Sequence, residues 1–142
     1  MKQKIYEFDI ALSFAGENRS YVEEVAKLLR LKGIRVFYDA FEEVQLWGKN
    51  LYDYLSDIYQ NKARYTILFI SKYYNQKLWT SHERESMQAR AFRESREYIL
   101  PARFDDTEIP GISKTIGYIN LSKKTPEPFV ALIDKKLLVN RT

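Results

Sequence analysis

The chain has no cysteine and one histidine, His82, in 142 residues. Thiol nucleophiles, disulfides and thiolate metal sites are excluded, too few nitrogen and sulfur ligands remain for zinc, and we expect no metal. Any chemistry must therefore run on carboxylates, hydroxyls or cations. No G-x-x-x-x-G-K phosphate loop is present, and Gly16 alone after the first strand cannot make a dinucleotide fingerprint. Asp9, Asp39 and the Asp105-Asp106 pair suggest a phospho-acceptor cluster. That chemistry needs acids at the ends of the first and central strands, which end instead in Ser13-Phe14 and Ile70-Ser71.

The elements that must position such groups follow from periodicity. Tyr6 to Phe14 is rich in β-formers and stops at the loop-forming Ala15-Gly16-Glu17-Asn18. Ser20 and Glu23 have capping-box spacing, and Tyr21, Val22, Val25, Ala26, Leu28 and Leu29 recur with helical period until Gly33. Ile34 to Tyr38 predicts a second strand, and Asp39 to Trp47 an aromatic, acidic loop. Leu51, Leu55 and Ile58 mark a helix that ends at Asn61-Lys62. Tyr65 to Ile70 is apolar on both faces, as in a central parallel strand. Thr80 and Glu83 again have capping-box spacing, ahead of a helix to about Arg96. Strands are expected from Tyr98 and over Tyr118 to Leu121, and a last helix from Thr125-Pro126-Glu127 with Phe129, Val130, Leu132, Ile133 and Leu137 on its apolar face.

Strands alternating with helices give a parallel α/β sheet with right-handed crossovers. The expected fold is flavodoxin-like, five parallel strands with helices on both faces, as one domain over residues 1–142. Ligands of such sheets bind beyond the carboxyl ends of the strands, where the strand order reverses. The loops after Ser13, Tyr38 and Ser71 are thus the place to look. Hydrophobic residues at 45% and charged residues at 30% are globular proportions. A net charge of +4, with Lys and Arg scattered among Asp and Glu, gives no reason to expect a nucleic-acid partner. Neither a signal-like start nor an apolar run of membrane-spanning length is present, so the expectation is a cytoplasmic protein with no membrane partner.

Three motifs occur together in a telling order. The first is Asp9-Ile10-Ala11-Leu12-Ser13-Phe14 with Ala15-Gly16-Glu17-Asn18-Arg19; the second is Val36-Phe37-Tyr38-Asp39 with Leu46-Trp47-Gly48-Lys49-Asn50-Leu51. The third is Phe69-Ile70-Ser71, then Tyr74, Lys77 and Trp79-Thr80-Ser81-His82-Glu83. In this order and spacing, from about Tyr6 to Leu138, the chain resembles a TIR (Toll/interleukin-1 receptor) domain of the bacterial type.

The resemblance implies hydrolysis or cyclisation of NAD, giving nicotinamide with ADP-ribose or a cyclic ADP-ribose isomer, in antiviral defence signalling. NAD would be the substrate, with no cofactor, and other TIR domains would be partners, in a homo-oligomer or filament. The family's glutamate stands four residues after an aromatic, which places it at Glu83 with Trp79. Ser13, Phe14, Arg19, Asp39, Trp47, Lys49 and Trp79 are the expected substrate-binding residues, Arg19 as the phosphate contact. Enzymatic relatives in animals carry basic residues directly after the first-strand aromatic, where this chain has Ala15-Gly16. The chemistry suits these residue types: expelling nicotinamide leaves an oxocarbenium-like sugar, which a carboxylate stabilises and beside which an aromatic face can stack on a base.

Each residue also has a purely structural reading. Glu83 could be only the partner of a Thr80 cap, Trp79 and Phe14 core aromatics, Asp39 a turn cap, and Trp47 a staple for its loop. His82 reads as a solvated residue at the start of its helix. The corresponding alternative to an enzyme is a non-catalytic interaction module or virulence mimic that docks with other TIR domains.

Overall fold

A computed structural model of the chain describes residues 5–74, 78–94 and 97–139, with the side chains at 78–82 and 92–94 outside the description. Five strands, β1 (Phe8–Ser13), β2 (Val36–Phe37), β3 (Ala63–Ile70), β4 (Ile99–Arg103) and β5 (Ile119–Asn120), form one sheet in the order β2-β1-β3-β4-β5. Every pairing is parallel. The helices are α1 (Arg19–Leu31), α2 (Glu43–Leu46), α3 (Leu51–Asp57), α4 (Leu78–Glu94) and α5 (Pro126–Val139). This is the expected flavodoxin-like arrangement.

β3 lies at the centre because its side chains can be buried on both faces. All of its residues but Arg64 are buried, and β1 is buried except at Asp9. Such strands need helices on each side of the sheet. α1 packs beside α5, and α3 beside α4. The order reverses between β1 and β3, so the crevice opens beyond Ser13 and Ile70.

α1 ends where Gly33 takes a left-handed φ of 77°. The amide of Gly33 donates to the Arg30 carbonyl at 3.0 Å and that of Ile34 to Leu29 at 3.1 Å, the Schellman closure that only glycine adopts without strain. The start of α1 differs from expectation. A 3-10 turn at Gly16–Asn18 leads directly into Arg19, so Ser20 lies inside the helix and caps nothing. Glu23 is instead the acceptor of the Tyr38 hydroxyl at 3.0 Å.

Several further boundaries are corrected. β1 is shorter than Tyr6 to Phe14, and β2 is two residues rather than five. Asp39 to Trp47 is not an open loop but a 3-10 turn over Asp39–Glu42 followed by α2. Phe41 anchors it, edge-on to Tyr38 at 5.0 Å and beneath the Arg30 guanidinium at 4.6 Å. Asn50 caps α3, its side chain accepting from the Asp53 amide. α4 is described from Leu78, so Thr80 lies within the helix; its side chain, one half of the expected capping box with Glu83, lies outside the described residues. On α5, Leu132 is 36% exposed and off the buried face.

Glu83, Met87 and Arg90 are buried on α4 at helical spacing, forming one inward face. Between α3 and β3 the chain makes a π-helical turn, Ile58–Lys62, of the kind common at functional sites. Arg90, fully buried, donates to the carbonyls of Tyr59 and Ala63 at the two ends of that turn and stacks over Tyr98 at 4.1 Å. Arg90→Ala leaves both carbonyls without this donor and opens a cavity. We expect a loss of about 3 kcal/mol or more of stability by denaturant unfolding; a loss below about 1 kcal/mol would show that the turn is held by other contacts.

Candidate active site

A cavity of about 350 Å³ opens at the carboxyl edge of the sheet, a size suited to a small-molecule ligand. Leu12, Phe37, Leu46, Leu51 and Leu55 form its apolar wall. Against this wall converge Glu17, Arg19, Asp39, Tyr59 and Glu83, with Phe14 beside them. Each comes from a different turn or strand end. Phe14 directly follows β1, the 3-10 turn after it supplies Glu17, and α1 Arg19. Asp39 follows β2, Tyr59 sits on the π turn, and Glu83 projects from the first half of α4.

Glu83 is only 7% exposed. Its Oε2 accepts a hydrogen bond of 2.5 Å from the Ser13 hydroxyl, which is itself 2.7 Å from the hydroxyl of Tyr74. Among the described residues no lysine or arginine forms an ion pair with it. Burial pushes its carboxyl up to about 8; the hydrogen bonds from Ser13 and Tyr59 oppose that rise and the charge of Asp39 adds to it. Tyr59 and Tyr74 are raised well above the ordinary tyrosine range, chiefly by burial and then by the nearby Glu83 charge.

The opposite side of the cavity carries a closed ion pair. Arg19 holds both oxygens of Asp39 at 2.9 Å and donates to the Tyr38 hydroxyl at 2.9 Å. Its guanidinium lies over the Phe14 ring, 5.0 Å from the centroid, and the bonds to Asp39 raise its pKa. A planar cation stacked on an aromatic and half exposed to the cavity mouth suits an anionic group such as a phosphate.

Comparison with known proteins shows the family of the chain. A model of the TIR domain matches residues 10–136, and over all 142 residues the chain is 72% identical to the 3' cyclic ADP-D-ribose synthase AaTIR of Aquimarina amphilecti. The chain belongs to the TIR domain family. The NAD(+) hydrolase TcpA of Theionarchaea archaeon (strain DG-70-1) is 33% identical over 100 residues, 68% of this chain. The chain spans 43% of the first relative's length, and the aligned part is 28% of the second's. Among solved structures, the TIR domain of the Toll-related receptor TRR-2 from Hydra magnipapillata superposes with a TM-score of 0.69 at 17% identity, covering 94% of this chain and 97% of that one.

Within this TIR domain, Phe14, Arg19, Asp39 and Glu83 all line the cavity, and Ser13 lies behind its wall, bonded to Glu83. Trp47 and Lys49 are not brought to it. Trp47 is 88% exposed after α2, and the Lys49 ammonium lies 5.8 Å from the Tyr54 ring. The side chain of Trp79 lies outside the described residues. Three polar groups that sequence reasoning did not assign to the site are present: Tyr59, Tyr74 and Glu17. Tyr74 stood in the third motif, and the full burial of a tyrosine beside a buried glutamate is the signal that assigns it. Nothing in the sequence marked Tyr59, because its approach depends on the π turn.

The elevated Glu83 carboxyl fixes a sign for stability. Between the ordinary value of 4.5 and about 8, the folded protein keeps a proton that the unfolded chain releases. Stability should fall as pH rises through that window. Glu83→Gln removes this term and keeps an acceptor for Ser13. The variant should therefore gain in melting temperature relative to wild type between pH 5 and pH 9; parallel melting curves across that range would contradict the burial of an ionisable Glu83.

Proposed function

We propose that this TIR domain cleaves NAD at the bond between nicotinamide and ribose, and that it forms a cyclic ADP-ribose as its product. The observation that carries the reading is Glu83, a carboxylate without a described cationic partner, facing a cavity that also holds a stacked arginine. The identity of 72% to a cyclic ADP-ribose synthase, over the whole chain, supports it.

In this reading the C1′–N bond breaks and its electron pair leaves with nicotinamide, which departs neutral. The ribose C1′ is left oxocarbenium-like, and ionised Glu83 stabilises that positive charge in a poorly hydrated site. The cationic pyridinium of bound NAD itself draws the Glu83 carboxyl toward ionisation. Phe14 offers a ring face to a base, and Arg19 exchanges Asp39 for the diphosphate. The sugar cation is then captured by water, giving ADP-ribose, or by a hydroxyl oxygen of the same substrate, giving a cyclic isomer, and the proton of the attacking O–H passes to Glu83 or to solvent. Trp79 is proposed as the further stacking surface that keeps the adenosine half in place for cyclisation. No metal or resident cofactor is required.

The proposed setting is antiviral signalling in the cytoplasm, with neither membrane nor nucleic acid as partner; no described helix is long and apolar enough to cross a membrane. Copies of the domain are proposed to assemble when active, through the exposed apolar segment around α2 where Val44 is 81% and Trp47 is 88% exposed. Ser13, Lys49 and Trp47 then act from behind or beside the cavity rather than on its wall.

Nicotinamide release from NAD, followed by chromatography with mass analysis of the second product across protein concentrations, tests the reading. Wild type should release nicotinamide with specific activity that rises with concentration. Glu83→Gln should lower turnover about a hundredfold to a thousandfold while remaining folded, and kcat/KM of wild type should fall below about pH 8 as Glu83 gains a proton. Near-normal turnover by the folded variant would refute the role of Glu83. Absence of nicotinamide release by wild type at every concentration would favour a non-catalytic interaction module.

A further inference from the structure

We infer that Tyr74 and Ser13 form a directional hydrogen-bond relay that favours the ionised form of Glu83 and fixes the direction of its carboxyl, making both of them positioning residues rather than substrate contacts. The inference rests on the reading of Glu83 as the reacting carboxylate and extends it to two side chains that do not line the cavity.

The geometry admits one proton arrangement for ionised Glu83. The Ser13 hydroxyl lies 2.5 Å from Glu83 Oε2 and 2.7 Å from the Tyr74 hydroxyl. Ser13 and Tyr74 are both 0% exposed. A serine hydroxyl carries one proton. An ionised carboxylate can only accept, so Ser13 must donate to Glu83 and must in turn accept from Tyr74. If Glu83 is protonated and donates to Ser13, the order reverses, and Ser13 donates to Tyr74. Ionised Glu83 therefore requires the direction Tyr74 to Ser13 to Glu83, whereas protonated Glu83 allows either direction. Tying Oε2 to the sheet also leaves the other carboxylate oxygen for the cavity. Burial within β1 fixes Ser13, whose backbone pairs with Leu68 of β3, so the relay is anchored in the rigid centre of the sheet.

The other charged and titratable groups around Glu83 act differently. Tyr59, from the π turn, favours its ionisation but donates its hydroxyl to the Leu12 carbonyl at 3.3 Å. Asp39, after β2, opposes ionisation and is held by Arg19. Glu17 lines the same cavity, and the Arg84 charge acts on Tyr74 from α4. Of these groups, only Ser13 binds Glu83 Oε2 and Tyr74 at once.

The test combines the pH profile of kcat/KM with a carbon NMR titration of the Glu83 carboxyl in the substrate-free domain, in Ser13→Ala, Tyr74→Phe and the double variant. Ser13→Ala should move both the acidic limb and the NMR midpoint upward by about one pH unit, the equivalent of one hydrogen bond to a charged acceptor. Tyr74→Phe, which keeps the ring and its packing, should move them the same way by less. In the double variant the shift should be smaller than the sum of the two single shifts, because the hydrogen-bonded part of the tyrosine's effect passes through Ser13. Ser13→Thr, which retains the hydroxyl, should bring the limb back toward its wild-type pH. A Tyr74→Phe shift that persists undiminished beside Ser13→Ala, or an unmoved midpoint in Tyr74→Phe, would overturn the relay. NMR shifts as expected in a wild-type protein that releases no nicotinamide would keep the relay and dismiss NAD cleavage; Glu83-dependent release with unmoved midpoints would do the reverse.

Discussion

A carboxyl group buried away from water, with no cation paired to it among the described residues, is the constraint on which the rest of this structure turns. Glu83 is held by the Ser13 hydroxyl, with Tyr59 and Tyr74 close by, and forms no ion pair among the described residues. A lysine or arginine there would stabilise the charge, but it would also repel the cationic sugar that the site is proposed to stabilise. Hydrogen bonds from neutral donors favour ionisation while leaving the negative field available. The fold accepts a stability cost at this point, as functional sites commonly do.

The surrounding architecture makes that cost tolerable by fixing every donor. Ser13 ends a strand whose neighbours on both sides are in parallel register. Tyr59 is set by a π turn whose two ends are bonded to the buried Arg90. Arg90 and Glu83 lie on the same inward face of α4, so one helix supplies both the reacting group and the clamp for its neighbour. Across the cavity, Asp39 neutralises Arg19 and keeps a half-exposed cation in place beside Phe14. The exchange of that carboxylate for a diphosphate would order an anionic ligand without reorganising the sheet.

What the sequence disclosed depended on the range of the interaction. The central strand was legible because a run such as Tyr65 to Ile70, apolar on both faces, has few other uses, and α1 was bounded correctly at Gly33 because a left-handed stop is local chemistry. Local spacing misled where a longer-range partner prevailed. Ser20 and Glu23 had the spacing of a cap, yet a preceding turn moved the helix start and Tyr38 took the glutamate. Thr80 and Glu83 repeated the pattern, and the Ser13 hydroxyl, 70 residues away, binds that carboxylate. Asp39 to Trp47 read as a loop because its anchors, Tyr38 and Arg30, lie outside it. Family resemblance supplied Glu83, Phe14, Arg19 and Asp39 as site candidates; Tyr59 depended on a π turn that no periodicity announces.

A crystal structure of the Glu83→Gln domain soaked with NAD measures the central assignment most directly. The ribose C1′ of the nicotinamide half should lie against the residue-83 side chain within the cavity bounded by Leu12, Leu55 and Tyr59, with the diphosphate at Arg19. NAD seated elsewhere, or with the diphosphate rather than the nicotinamide ribose against residue 83, would contradict it.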